Sequence, residues 1–276
     1  MNEVIRKLLL LTAAISFSLS VGALIPANTN SKDTQDSRVI VSTKLKDVSQ
    51  SDIERVKKEA EIALNSIPPI LGVEYKKDIK IKIVDKKGTG GITDGIVLLP
   101  HKHVKNKRAP IIHKVSELIV KKPSRPAWEG GVDDRFFRVG LAVFFQDKFG
   151  EDKEFFNYKE PSLSLNDLVI MHRDNLFSLY YLNHKTKIFG YKDKTKMFGK
   201  KTFRKIKPKN QNIAYIEAGS FISFLYEKYG DQKFKDLYKT SLPADYEKVY
   251  GKSIQELEKE WLNYVFVELS AKEQND

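Results

Sequence analysis

The stretches Ala109-Pro-Ile-Ile-His-Lys-Val-Ser-Glu-Leu-Ile-Val120 and Arg135-Phe-Phe-Arg-Val-Gly-Leu-Ala-Val-Phe-Phe-Gln-Asp-Lys-Phe-Gly150 decide how this chain is read. Both are rich in apolar residues and read as helices, over 108–121 and 134–148. In the first, His113 and Glu117 stand four residues apart, so they share one helical face. Both side chains can in principle ligate a metal, and Lys114 follows His113 directly.

Upstream of these helices the pattern is mixed. Arg38-Val-Ile-Val-Ser-Thr43 reads as a strand. Ser51-Asp-Ile-Glu54 is a capping-box pattern. It is expected to open a helix through about Ser66, with Ile53, Val56, Ala60, Ala63, Leu64 and Ile67 on one face and Pro68-Pro69 as its stop. Asp78-Ile-Lys-Ile-Lys-Ile-Val84 alternates strictly, the mark of a strand with one wet face. Gly88–Gly95 reads as a turn-rich loop and Ile96-Val-Leu-Leu-Pro100 as a strand ended by proline. The glycine-rich loop is no phosphate cradle, since a strand rather than a helix follows it.

Downstream the chain reads as mainly helical, with further helices over 163–171, 212–229, 231–240 and 253–269. The last opens on a second capping box, Ser253-Ile-Gln-Glu256. Phe221, Phe224, Leu225, Trp261, Leu262 and Val265 are the expected core of this part, and Trp128 an anchor in its Pro/Gly-rich connector. Strands first and helices afterwards make an α+β fold, a small mixed α/β N-terminal lobe followed by a mainly helical one.

Apolar residues are 41% of the 276 and charged residues 30%, enough for a packed core. A basic head, an apolar run from Leu8 to Leu24 and small residues near Ala23 read as a secretory signal peptide over 1–23, cleaved after Ala23 or Ala27. Residues 24–48 then hold a polar linker and the first strand, and 49–276 the main domain. With no cysteine, the chain holds no disulfide, and export without disulfides points to a bacterial periplasmic or secreted protein.

A zinc peptidase helix reads H-E-x-x-H: two imidazoles one turn apart hold the ion, and the Glu between them activates its water. Residues 78–150 and 211–265 resemble the peptidase MA-like family, gluzincins related to thermolysin. The resemblance rests on Gly90-Gly-Ile-Thr-Asp-Gly95, Leu98-Leu-Pro100, Ala109-Pro-Ile-Ile-His113 and Gly140–Gly150. Ala214-Tyr-Ile-Glu-Ala-Gly-Ser-Phe-Ile-Ser-Phe-Leu-Tyr-Glu-Lys-Tyr-Gly230 and Tyr250–Leu262 extend it. It implies a cleft lined by an edge strand, then a helical lobe, with zinc and peptide hydrolysis where the ligands are kept. His113 matches the first ligand; Lys114 stands at the base position, Glu117 at the second His, and Val139 at the acidic third ligand.

The expectation is therefore a protein without catalytic residues or zinc that acts by binding. The competing reading is a zinc-dependent metallopeptidase with an atypical ligand set, in which His113 and Glu117 hold the metal. Asp133, Asp134, His172, His101 or His103 would have to supply a third ligand, and spacing selects none of them. Tyr215 is a candidate cleft residue, able to donate to an oxyanion.

The formal net charge is +12, and it is concentrated. Lys185–Lys209 carries eleven Lys/Arg against Asp193 alone. Within this basic insertion, about 184–210, Lys192, Lys194, Lys196, Lys200, Lys201, Arg204 and Lys205 are the anion-binding candidates, interleaved with Phe189, Tyr191, Phe198 and Phe203. For an exported chain the expected partner is a protein or an anionic surface, acidic lipid or polysaccharide, rather than nucleic acid. No stretch after the signal is apolar enough to span a membrane.

Overall fold

The computed structural model describes residues 38–88, 90–120, 135–151, 163–184, 208–240 and 245–269. All fall in one unit, Ser37–Asp276. The expected signal peptide and polar linker, Trp128, and positions 185–207 of the basic insertion lie outside the described residues.

Strand β1 (Val39–Thr43) leads to helix α1 (Gln50–Leu71), then β2 (Ile79–Val84), β3 (Gly91–Thr93) and β4 (Ile96–Pro100). The sheet order is β1-β2-β4-β3, with β1, β2 and β4 parallel and β3 antiparallel to β4. The alternation in β2 is realised: Ile79, Ile81 and Ile83 are buried while Lys80 and Lys82 face solvent. Val56, Ala60, Ala63, Ile67 and Leu71 line the buried face of α1, which packs on β1.

Helix α1 corrects the sequence reading at both ends. Its N-cap is Ser49, whose hydroxyl accepts the Asp52 N–H at 3.1 Å, rather than Ser51. Pro68 and Pro69 do not stop it. They surrender only their own N–H bonds, and their carbonyls accept from Val73 and Gly72. The stop is Gly72, left-handed at φ 63°.

Strand β3 falls within the stretch that the sequence presents as a turn-rich loop. Asp94 (φ 51°) and Gly95 (φ 76°) form a two-residue turn with both φ positive, so the chain doubles back and Ile92 pairs with Val97. The Asp-Gly pair is the signal in the sequence that marks this hairpin. Gly90 leaves no room for a side chain, since a Cβ there would stand 2.2 Å from the Leu98 carbonyl oxygen.

Helices follow: α2 (His101–Lys105), α3 (Ile111–Ile119), α4 (Arg135–Phe149), α5 (Leu165–Met171), α6 (Leu179–His184), α7 (Pro208–Lys239), α8 (Tyr246–Tyr250) and α9 (Ile254–Asn263). The fold class is α+β. Helix α7 is broken at Gly230 (φ 81°, ψ 169°), where the sequence separated two helices. The region expected as one helix over 253–269 is α-helical to Asn263 and continues as a π-helix over Tyr264–Leu269. His101 and His103 sit on α2, and the short helices α2, α6 and α8 fall outside the helices expected from the sequence. Phe221, Phe224, Leu225, Trp261 and Val265 are fully buried, and Leu262 is half-buried. Among the described residues no helix is long and apolar enough to cross a membrane.

Helix α4 is central. It packs on α3 on one side and α7 on the other. The α4–α7 contact is closed by glycine: a Cβ on Gly140 would meet Ile222 Cγ1 at 2.6 Å and the Ala218 carbonyl oxygen at 2.7 Å. A Cβ on Gly219 would meet Val143 Cγ1 at 2.3 Å. Interhelical spacing here is set by the absence of side chains, and a backbone oxygen cannot rotate away. Gly140→Ala is expected to cost about 3 kcal/mol in overpacking, offset by about 1 kcal/mol of helix propensity. Denaturant unfolding should show a net loss near 2 kcal/mol, and an unchanged or raised midpoint would contradict this packing.

Candidate functional site

Helix α3 begins at Pro110, which offers no side chain to cap the first N–H groups. The cap comes from another helix. Gln146 of α4, itself buried, accepts the His113 N–H through Oε1 at 2.9 Å. Ser116 Oγ donates back to the His113 carbonyl at 2.8 Å. His113 is thus fixed by backbone bonds as well as by packing. Sequence reasoning missed Gln146, because a glutamine inside an apolar helix gives no hint of which helix it will cap.

On the face of α3 the spacing acts as expected. His113 Nε2 lies 3.0 Å from Glu117 Oε1. Lys114 Nζ donates to both Glu117 oxygens, at 2.9 and 3.0 Å. The imidazole is 1% exposed, the Lys114 side chain 12% and the Glu117 side chain 33%, so the carboxylate is the accessible end of the cluster.

The electrostatics follow from burial and these bonds. Burial lowers the pKa of His113, the Glu117 hydrogen bond opposes this, and the Lys114 charge lowers it further. Burial alone would raise Glu117. The His113 hydrogen bond and charge, with the charge and hydrogen bonds of Lys114, outweigh it and hold the carboxyl at about 2. An ionised carboxylate only accepts, so the proton between the pair sits on His113 Nε2.

Tyr215 of α7 lies over this cluster, its ring stacked on His113 with centroids 6.3 Å apart and planes 11° apart. Burial raises its phenol, as does the Glu117 charge, while the Gln211 hydrogen bond and the Arg135 charge pull it back. It stays a neutral O–H beside the imidazole. Val139 of α4 is half-buried and packs against the hydrophobic core.

These residues do not fit a catalytic zinc. Such an ion needs three protein ligands and an open position. His113 and Glu117 are two, both oxygens of Glu117 are engaged by an ammonium, and an aliphatic residue stands at position 139. Among the described residues no three His, Cys, Asp or Glu side chains gather as a metal-holding group. His101 Nδ1 is 3.4 Å from Asp47, and His172 caps α5. Asp133, Asp134 and the basic candidates Lys192, Lys194, Lys196, Lys200, Lys201, Arg204 and Lys205 lie outside the described residues. Nor does Lys114 serve as a base, since its ammonium donates to both oxygens of Glu117.

A buried acid on α7 falls outside the sequence expectations. Glu217 of α7 is fully buried and accepts the Phe177 N–H at 2.8 Å, while Glu258 of α9 accepts the Leu179 N–H at 3.0 Å. The two carboxyls fasten the turn that leads into α6. Its mark in the sequence is an acid between Ile216 and Ala218 in an apolar helix, but only packing decides that it points inward.

Burial pushes Glu217 up to about 9, the Phe177 N–H pulling against it and the Glu258 charge adding to it. Glu258 is also raised, by burial. A carboxyl with a raised folded pKa keeps its proton where the unfolded chain has lost it. Stability therefore falls as pH climbs from 4.5 towards 9, by up to about 1.4 kcal/mol per pH unit. Glu217→Gln, neutral throughout, should flatten this part of the stability profile and exceed the parent's stability at pH 8–9. Urea unfolding at a series of pH values measures it, and parallel profiles for the two proteins would refute it.

Comparison of the chain with family models, with curated proteins and with solved structures finds no match, so the chemistry of the site rests on its own residues.

Proposed function

We propose that this chain is an exported, non-catalytic relative of the gluzincin zinc peptidases that acts by binding. The observation that carries the reading is the pair of hydrogen bonds from Lys114 Nζ to Glu117. Where a peptidase needs a free carboxylate to take a proton and an open metal to polarise a carbonyl, this helix carries a closed ion pair. The sheet and helix arrangement is compatible with the resemblance: α3 touches β3, one of the two edge strands of the sheet, and a sheet edge can receive an extended segment.

Tag-free protein is expected to carry well under one zinc per chain, and to leave casein uncut with or without added zinc. Stoichiometric zinc by metal analysis, or hydrolysis that a chelator abolishes, would overturn the reading.

The charge of Lys185–Lys209 supports an anionic partner, acidic lipid or polysaccharide, for the same protein. Long-range attraction of this kind is screened by salt. Retention on heparin and sedimentation with anionic vesicles should be strong at low ionic strength and fall steeply by about 0.5 M salt, where the Debye length is only a few ångström. Absence of binding at low salt would remove the basic segment from the account.

A further inference from the structure

A helix face that carries a carboxylate and an imidazole one turn apart attracts a cation. On α3 that cation already belongs to the chain. Lys114 Nζ is 2.9 Å from Glu117 Oε1 and 3.0 Å from Oε2, so it engages both oxygens at once. His113 Nε2 reaches the same Oε1 at 3.0 Å. Two neighbouring residues, His113 and Lys114, thus converge on the Glu117 carboxylate, and the mutual aim of imidazole and carboxylate is preserved. It is preserved because the backbone under His113 is bonded to Gln146 and Ser116, and because the Tyr215 ring stacks on the imidazole.

We propose that Lys114 is the resident cation of this site: its ammonium takes the electrostatic place of a divalent ion, keeps metals out, and masks a latent two-ligand site formed by His113 and Glu117. The inference rests on the non-catalytic reading above and adds what holds the two potential ligands in register without a metal. Two consequences separate it from an incidental surface ion pair. A dication approaching Glu117 meets the charge of Lys114 at contact distance, which opposes binding strongly. It also finds no carboxylate oxygen free of the ammonium's hydrogen bonds. With the ammonium gone, a borderline ion such as nickel or zinc can sit between Glu117 and His113 Nε2. The imidazole then binds as its Nδ1–H tautomer, the Nε2 proton moving to Nδ1, so no net proton is lost. The one-third exposure of the Glu117 side chain provides the way in, and water completes the coordination.

The test uses tag-free full chain and thermal unfolding with nickel chloride or zinc chloride as the probe. Lys114→Ala should show a saturable rise in Tm with added metal, with half-saturation at least about tenfold below any effect in the parent. Lys114→Arg, which keeps a cation in place, should stay as unresponsive as the parent. Lys114→Ala combined with Glu117→Gln should lose the response. If Lys114→Ala does not fold, Lys114→Gln replaces it in the same comparison. No metal-dependent rise in the neutral variant, an equal rise in the parent and Lys114→Arg, or a rise that survives Glu117→Gln would each overturn the proposal. Stoichiometric zinc in the parent as purified is a different result: it would overturn the non-catalytic reading itself.

Discussion

Close approach of α4 to α7 is the constraint on which the helical part depends. It is made possible by Gly140 and Gly219, each placed where even a methyl group would collide with the opposite helix. The same helix α4 then reaches the other way. Its Gln146 fills a vacancy in the first turn of α3 left by a proline cap, and so fixes the helix that carries His113. One rigid element therefore ties the large helix α7, with Tyr215, to the small helix α3, with His113 and Glu117. A buried amide acceptor is a strong tie because the N–H it serves has no water to fall back on.

The cluster on α3 shows how a polar helix face is kept stable inside an apolar setting. An isolated buried carboxylate would be driven to its neutral form. Glu117 stays ionised because an imidazole donates to it and an ammonium binds both its oxygens. Each of these contacts joins residues three or four positions apart on one helix, so bringing them together avoids the loop-closure entropy that burdens long-range contacts. Gln146 and Tyr215, from other helices, then hold the imidazole in its aim. The cost falls on reactivity: groups that satisfy each other are withdrawn from proton transfer and from metals.

Glu217 follows the opposite logic. Its partner is a backbone N–H from a different element, and the charge that acts on it is another acid, Glu258. With no cation among the causes acting on it, burial wins and the carboxyl holds its proton. Two acids in one protein thus move in opposite directions, one to about 2 and the other to about 9, and local company decides which. The two clips at Phe177 and Leu179 hold the turn before α6, which the sequence pattern alone left without structure.

Much of this was legible in the order of residues. Alternation along Ile79–Val84, the apolar faces of α1 and α7, and the capping box at Ser253 are local patterns, and local patterns map directly onto helix and strand. The shared face of His113 and Glu117 was legible for the same reason, since helical spacing alone brings them together, whereas the bonds from Lys114 to the same carboxylate came to light only in the structure. Where the reading went astray, a local rule was overridden or overlooked. Pro68 and Pro69 stay within α1 because the chain beyond them supplies donors for their carbonyls, and β3 exists because β4 is there to pair with it. The α+β class and the groups available on α3 follow from neighbours within a turn or a strand, and the charge imbalance from composition alone. That Gln146 caps α3, that Tyr215 stacks on His113 and that Glu217 is buried was settled by the packing of separate helices. Each of those needs side chains from separate helices to meet, and no short-range periodicity encodes which helices will touch.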